Sequence, residues 1–362
     1  MTGILSRYVA LQFFRAVAGV FVAVFVLVGL VDYIESTRRA ATIANVSAGL
    51  IAQVSFFRVP QLTEKVLPFA VLVGAMICYL TLSRRLELVV ARAAGVSAWQ
   101  FVAPTVIAAL LLGAVGTTVY NPLASLLRER STRLESTMSG MGFSALRQTN
   151  AGYYVRQRSD DGQSIINAAT SSDSGLSLGG VTVFTFDADG RFKERIVARS
   201  ARLEPQQWLL QGARVYATGS PPHDYETYPL ATNLTAAQIT QTLARPESVS
   251  FWQLPAQIEM AERAGLSTTG FSVQYQILLA QPFLLAAMVL FAASISLRFF
   301  RFGGVQWMIL AGIGGGFLLY VIFKVTEDLG KAALLSPVSA AWVPVLAAGV
   351  TGLLTLLYLE DG

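Results

Sequence analysis

Cysteine and histidine occur once each in 362 residues, and lysine four times, at positions 65, 193, 324 and 331. A lone thiol, Cys78, excludes an internal disulfide and a thiolate metal cluster. The lone imidazole, His223, sits in the polar loop "SPPHDYETYP" with no nucleophile elbow anywhere in the chain. A Ser-His-Asp mechanism therefore has no support. None of the lysines follows the Gly-x-x-x-x-Gly spacing by which a P-loop cradles phosphates. Energy-dependent work by this protein would need a nucleotide site on another chain. Charge of either sign is also scarce: 14% of residues are charged, against about 25% in soluble domains. With a mean hydropathy of +0.54, a water-soluble globule is excluded.

What fills the space is long uncharged runs, at 16–31, 66–83, 93–127, 264–297, 302–323 and 332–359. A membrane-spanning helix needs about 20 mainly apolar residues, with about 17 tolerated. Six spans follow. The first run is short, but Arg15 and Asp32 at its ends can snorkel to the two interfaces. Its basic start resembles a signal peptide, yet Asp32, Glu35, Arg38 and Arg39 follow at once without a small-x-small cleavage site. The expectation is an uncleaved first span.

Between the third and fourth runs the composition changes. "GGVTVFTFDADGRFKERIVARS" (179–200) alternates with period two, Val181, Val183 and Thr185 on one face and Thr182, Phe184 and Phe186 on the other. Asp189-Gly190 supplies a hairpin turn, and a return strand begins at Ile196–Ala198. "GYYVRQR" (152–158) and "QSIINAAT" (163–170) read as earlier strands. The expected organisation is an N-terminal membrane part (1–133), an inserted all-β domain (134–265) built as a sandwich or open barrel, and a C-terminal membrane part (266–362). Sidedness is close to undecided on composition. With the N-terminus inside, seven Arg residues in short loops lie inside against five Arg or Lys outside.

The stretch "SRRLELVVARAAG" (83–95) interrupts the apolar pattern between spans two and three with three arginines and one glutamate. It reads equally as a turn anchored by snorkelling arginines or as a short interfacial helix that docks into a partner. At helical spacing Arg84 can pair with Glu87, and Arg85 and Arg92 share a face. An anchor needs the arginines but has no need of Glu87.

"LSRRLELVVARAAGVS" resembles the region after the second span in the LptF/LptG family, the paired permeases of the lipopolysaccharide exporter. The order of three spans, a β domain and three spans agrees along the chain. "AGLSTTGFSVQYQILLAQPFLLAAMVLFAASISLRFFRFGGV" (264–305), with Gln281-Pro282-Phe283, is similar to the LptG side more than to LptF. The resemblance implies a bacterial inner-membrane protein with a jellyroll-like periplasmic β domain and no enzymatic activity. It implies no cofactor of its own, since ATP is bound by the cytoplasmic ATPase dimer LptB. The implied partners are the paralogous permease LptF, the single-span adaptor LptC and lipopolysaccharide. Residues 83–95 become a cytoplasmic coupling helix, with Glu87 as the acidic contact, Arg84, Arg85 and Arg92 beside it, and Gly95 ending the helix.

Three further groups are candidates. Arg128, Arg130 and Arg133 follow span three and suit lipid phosphates; the plainer reading is an exposed helix with a Glu129–Arg133 pair. Asp32 and Glu35 end span one. Better-known relatives often carry a lysine near the position of Asp32, so this chain reverses a charge there. Asp32 is expected to bridge through a divalent cation or to pair with Lys324 or Arg38. In span five, Gly312 and Gly316 form a Gly-x-x-x-Gly pair, with Gly314 and Gly315 adding backbone freedom. The resemblance makes spans one and five lateral gates; static packing is the alternative. Within the β domain, Val183, Phe184, Phe186 and Val197 could line a lipid groove or be ordinary core. Two other functions stay open: the LptF-type paralogue, and a non-transporting scaffold with a β binding domain.

Overall fold

The structure is a computed structural model that describes residues 2–40, 47–139, 153–159, 162–172, 176–187, 191–204, 206–217, 221–232, 246–263, 267–301 and 305–361. Six helices in it are long and apolar enough to cross a membrane. Span one is α1 (Thr2–Ala40) and span two is α2 (Ala48–Arg84). A two-turn helix α3 (Glu87–Ala93) leads to span three, in which α4 (Ala98–Val115) runs through a π-helical turn (Gly116–Tyr120) into α5 (Asn121–Ser139). After the sheet come α6 (Leu254–Arg263), span four as α7 (Thr269–Arg301), span five as α8 (Val305–Lys331) and span six as α9 (Pro337–Asp361). Spans two and three are started by serines: Ser47 Oγ accepts from Leu50 N–H at 3.3 Å and Ser97 Oγ from Gln100 N–H at 3.2 Å. Helix α5 runs to Ser139, past the boundary expected at 133.

Spans two and four form the centre of the bundle, with 61% and 67% of their most apolar windows buried. Span one buries 6% of its window and span five 22%, so both turn their apolar surfaces outward. Close crossings fall at glycines. A Cβ on Gly74 would lie 2.7 Å from Val17 Cα in span one, and one on Gly352 would lie 2.7 Å from Phe291 N in span four. Small residues let helix backbones touch, which is the main source of packing energy once both partners are already in lipid.

Six strands, β1 (Tyr153–Ser159), β2 (Gly162–Ser172), β3 (Ser177–Phe186), β4 (Phe192–Glu204), β5 (Gln207–Ala217) and β6 (His223–Ala231), form one antiparallel sheet in sequence order. The turn at Asp189-Gly190 lies outside the described residues, but Asp187 N–H bonds Arg191 C=O across it at 2.9 Å. The return strand starts earlier than expected, at Phe192. Val181, Val183 and Thr185 point into the core, and Thr182, Phe184 and Phe186 lie on the other face. The four proposed groove residues are thereby split: Val183 is core, while Phe184, Phe186 and Val197 share the outer face. There Arg195 lies over the rings of Phe184 and Tyr216 at 5.9 and 6.0 Å.

A transverse crease bends this sheet. The regular pairing skips Ala169–Gly180, Gly180–Arg199, Arg199–Gly212 and Gly212–Glu226, one continuous line across five strands. Inward parity flips along that line, from Val181 to Leu178 in β3, Ala198 to Ala201 in β4, and Ala213 to Leu210 in β5. Both leaves feed a single core that includes Ile166, Val183, Ile196, Trp208 and Leu210. The crease is how one sheet supplies the two sides of a core. Gly180 and Gly212 sit on it at φ +61° and +60°, where a residue with a Cβ costs roughly 1–2 kcal/mol. A Cβ on Gly180 would also meet Ala169 Cβ at 3.0 Å. Gly180→Val should therefore make the β domain cleavable by protease at concentrations the wild type resists, whereas Thr182→Val on the outer face should not. Equal resistance of the two variants would refute the crease.

Candidate functional site

The charged interruption folds as a knob whose helical part is confined to Glu87–Ala93, not the whole of 83–95. Span two continues to Arg84, Arg85 caps it, and Leu86 turns the chain at φ +61°. This break undoes two expected relations. Arg84 and Glu87 no longer lie on one helix, and the contact to Glu87 comes from Arg85 Nη1 at 4.0 Å. Arg85 and Arg92 likewise lose their common face. Glu87 opens α3, where its charge complements the helix dipole, and Tyr8 Oη of span one donates to its Oε1 at 3.1 Å. Gly95, at φ +81°, closes the helix. Its N–H bonds Arg92 C=O and Val96 N–H bonds Ala91 C=O, the paired bonds of a Schellman cap. Leu88 is buried in the bundle core, while Leu86 (60% exposed), Val89 (44%) and Val90 (66%) stand out beside exposed Arg84, Arg85 and Arg92. The knob is held by buried Leu88 and by the bond from Tyr8, and it presents a mixed apolar and basic surface.

At the other end of spans one and two, Asp32 is paired, and its partner is Arg58. Arg58 Nη2 and Nε donate to Asp32 Oδ2 at 3.0 and 3.2 Å, and Ser55 Oγ donates to the same oxygen at 2.6 Å. Neither expected base is there. Arg38 is held by Glu35 at 2.9 Å, and Lys324 by Asp328 at 2.9 Å on its own helix. Each alternative base has an acid three or four residues away, whereas Asp32 meets the one face of span two that carries Ser55 and Arg58. A double-mutant cycle with Asp32→Asn and Arg58→Met, read by thermal unfolding in detergent, should give a coupling of about 1–3 kcal/mol. The cycle of Asp32 with Lys324 should give none. The reverse pattern would overturn the assignment.

The arginines of α5 whose side chains the structure describes, Arg128 and Arg130, do not converge. Ser131 Oγ donates to Val54 C=O of span two at 3.1 Å, so Arg128, one turn earlier, lies beside that seam half-buried. Arg130 is exposed on a different face, and the side chain of Arg133 lies outside what the structure describes.

A larger polar cluster joins the returning end of the β domain to the bundle. In the 3-10 turn Pro246–Ser248, the Glu247 carboxylate accepts from Lys331 Nζ at 2.8 Å and from Lys65 Nζ at 2.5 Å. Gln61 Nε2 donates to Glu247 C=O at 2.6 Å. Asn121 accepts from Phe251 N–H at 2.8 Å and donates to Glu64 at 2.9 Å. Trp252 Nε1 donates to Thr118 C=O, inside the π-helical turn, at 3.1 Å. Burial alone would raise the Glu247 carboxyl, but the hydrogen bonds from Lys331 and Lys65 outweigh it and hold it at about 2, below its ordinary 4.5. That contribution to stability is complete above pH 4.5 and is lost as the pH falls towards 2.

Comparison with known proteins fits this architecture. The family described as "Lipopolysaccharide export system permease LptF/LptG" matches residues 7–358. The chain belongs to the LptF/LptG family. Among its relatives, the "Lipopolysaccharide export system permease protein LptG" of Escherichia coli K12 is 23% identical over 354 residues, covering 94% of each chain. The protein of the same name from Haemophilus influenzae is 24% identical over 359 residues, covering 94% of this chain and 93% of its own. As an LptF/LptG member the chain is a multi-pass membrane permease. Its span-five glycines take separate roles. A Cβ on Gly312 or Gly316 would meet Met76 or Leu72 of span two at 2.2 or 2.7 Å. One on Gly315 would meet Phe291 of span four at 2.5 Å, and one on Gly314 would meet open space. Arg58 and Lys65 entered the sequence analysis only in the count of charges for sidedness, and Glu247 and Asn121 not at all, yet all four carry polar contacts between elements. The available signal was spacing: Gln61 and Lys65, or Ser55 and Arg58, fall on single stripes at the polar end of span two.

Proposed function

We propose that this chain is the LptG-type permease subunit of a lipopolysaccharide exporter in the bacterial inner membrane, with the β domain in the periplasm. It binds no nucleotide. A cytoplasmic LptB dimer hydrolyses ATP and pushes on the knob at 84–95, and an LptF-type permease pairs with this subunit around a cavity open to the outer leaflet. Collapse of that cavity passes the lipid towards the β domains and LptC. External energy is needed because each buried CH₂ of a lipid chain is worth about 0.8 kcal/mol. Arg128, Arg130, Arg133 and Lys324 are the candidate contacts to headgroup phosphates, and spans one and five are the gates.

The knob carries this reading: a two-turn helix at the opposite end of the bundle from the sheet, with three exposed apolar side chains beside three arginines. The outward apolar surfaces of spans one and five support a second permease and lipid as their neighbours, and the two relatives above share the LptG name. The test is ATP-driven release of lipopolysaccharide from liposomes by the purified complex, with and without this subunit. Release should require it. Release without it, or failure of any ATPase to co-purify, would leave a non-transporting scaffold as the answer.

A further inference from the structure

The polar cluster around Glu247 ties unlike things together with unequal strength. The segment from Pro246 to Trp252 is fixed to spans two, three and four by Lys65, Gln61, Asn121 and the Thr118 carbonyl, and by Phe251 stacked on Tyr275 with centroids 5.5 Å apart. Span five joins it through Lys331 alone: among the described residues, this is the side chain by which span five hydrogen-bonds outside its own helix. Lys331 is also held by Glu327, one turn back, at 2.5 Å, so the cation stays oriented when Glu247 is released. On the other side, Lys65 still neutralises Glu247 if Lys331 departs. Neither parting leaves a bare charge, and leaving one bare is what makes breaking a part-buried ion pair costly. Span five is also one of the two least buried spans.

We propose that the Lys331–Glu247 pair is a reversible latch, holding the sheet-side end of span five to the root of the β domain and parting when span five moves. The proposal rests on the reading of span five as a gate. It adds that the movement is keyed to the β domain's returning segment, so the two report on each other.

Hydrogen exchange on the full-length protein in phosphatidylethanolamine–phosphatidylglycerol nanodiscs tests the link without transport. Lys331→Met should speed exchange about tenfold in 246–253 as well as at the end of span five, the change expected on losing a hydrogen bond to a charged group. Acceleration confined to span five would overturn the latch. A second arm uses Glu247→Cys with Lys331→Cys, bridged by a short bis-methanethiosulfonate, each cysteine thiolate displacing one methanesulfinate to form a disulfide that a reductant later cleaves; the native Cys78 is buried, and the wild type is the reagent control. Bridged protein in the full complex should release lipopolysaccharide no faster than the ATP-free control, and cleavage should restore release. Bridged protein working at the wild-type rate would overturn the latch. If the wild-type complex releases nothing, the permease reading fails, and the exchange experiment still decides the link.

Discussion

Gly113→Val will keep spans three and four from closing on each other, and the purified protein will melt well below the wild type or fail to accumulate. A Cβ at Gly113 would stand 2.4 Å from Pro282 Cα and 3.1 Å from both Pro282 Cβ and N. No rotatable side chain lies between, so relief has to come from moving a whole helix. The displacement also reaches two buried hydrogen bonds one turn away, from Thr117 Oγ1 to Leu278 C=O at 3.0 Å and to Gln281 Oε1 at 3.4 Å. Overpacking of this kind costs roughly 1–3 kcal/mol in adaptable cores, and two backbones in contact are the least adaptable case. Gly314→Val is the matched control. Its new side chain meets open space, so a thermal melt in detergent should show little change. Equal melting of the two variants would mean that spans three and four do not cross at Pro282.

Gln281-Pro282-Phe283 was visible beforehand only as part of a family pattern, and its physical content is this crossing. The contrast holds across the chain. The spans were legible because a run such as 93–127 has no charge to interrupt it, and the sheet because Val181-Thr182-Val183-Phe184 alternates. Both are local properties, set by neighbours two to four residues apart. Gly95 was legible for the same reason, since a helix cap is a local event. Asp32 was not, because its partner lies 26 residues away on another helix, and nothing in the pattern of span one points to Arg58. The pairing expected of Arg84 with Glu87 failed through a single dihedral. Leu86 adopts φ +61°, a conformation disfavoured for a bulky residue, and one such turn cancels every helical spacing drawn across it. The crease is not legible in the sequence, because Gly180 and Gly212 lie 32 residues apart on different strands. Only the register aligns them.

Under the proposed docking of an ATPase on the knob, Glu87→Lys will strip the complex of that ATPase while leaving the permease folded. The knob's shape does not depend on this carboxylate. Leu88 anchors it in the core and Gly95 closes its helix, so a charge reversal at Glu87 costs the bond from Tyr8 and some helix-dipole energy, about 0.3–1 kcal/mol. For a docked partner the loss is far greater. Truncating one member of an interfacial charge pair costs about 2–5 kcal/mol, which is roughly 30-fold or more in affinity, and reversal adds repulsion against whatever cation faced the acid. Co-purified ATPase should fall by at least that factor, while thermal melting of the permease alone shifts little. Tyr8→Phe separates the two parts of the effect. It removes the bond from span one but leaves the carboxylate, so under the same proposal it should retain most of the ATPase and yet weaken the tie between the knob and span one. In the release assay it should then lower lipid released per ATP hydrolysed. Full ATPase retention by Glu87→Lys would return this segment to a basic turn that only anchors spans two and three.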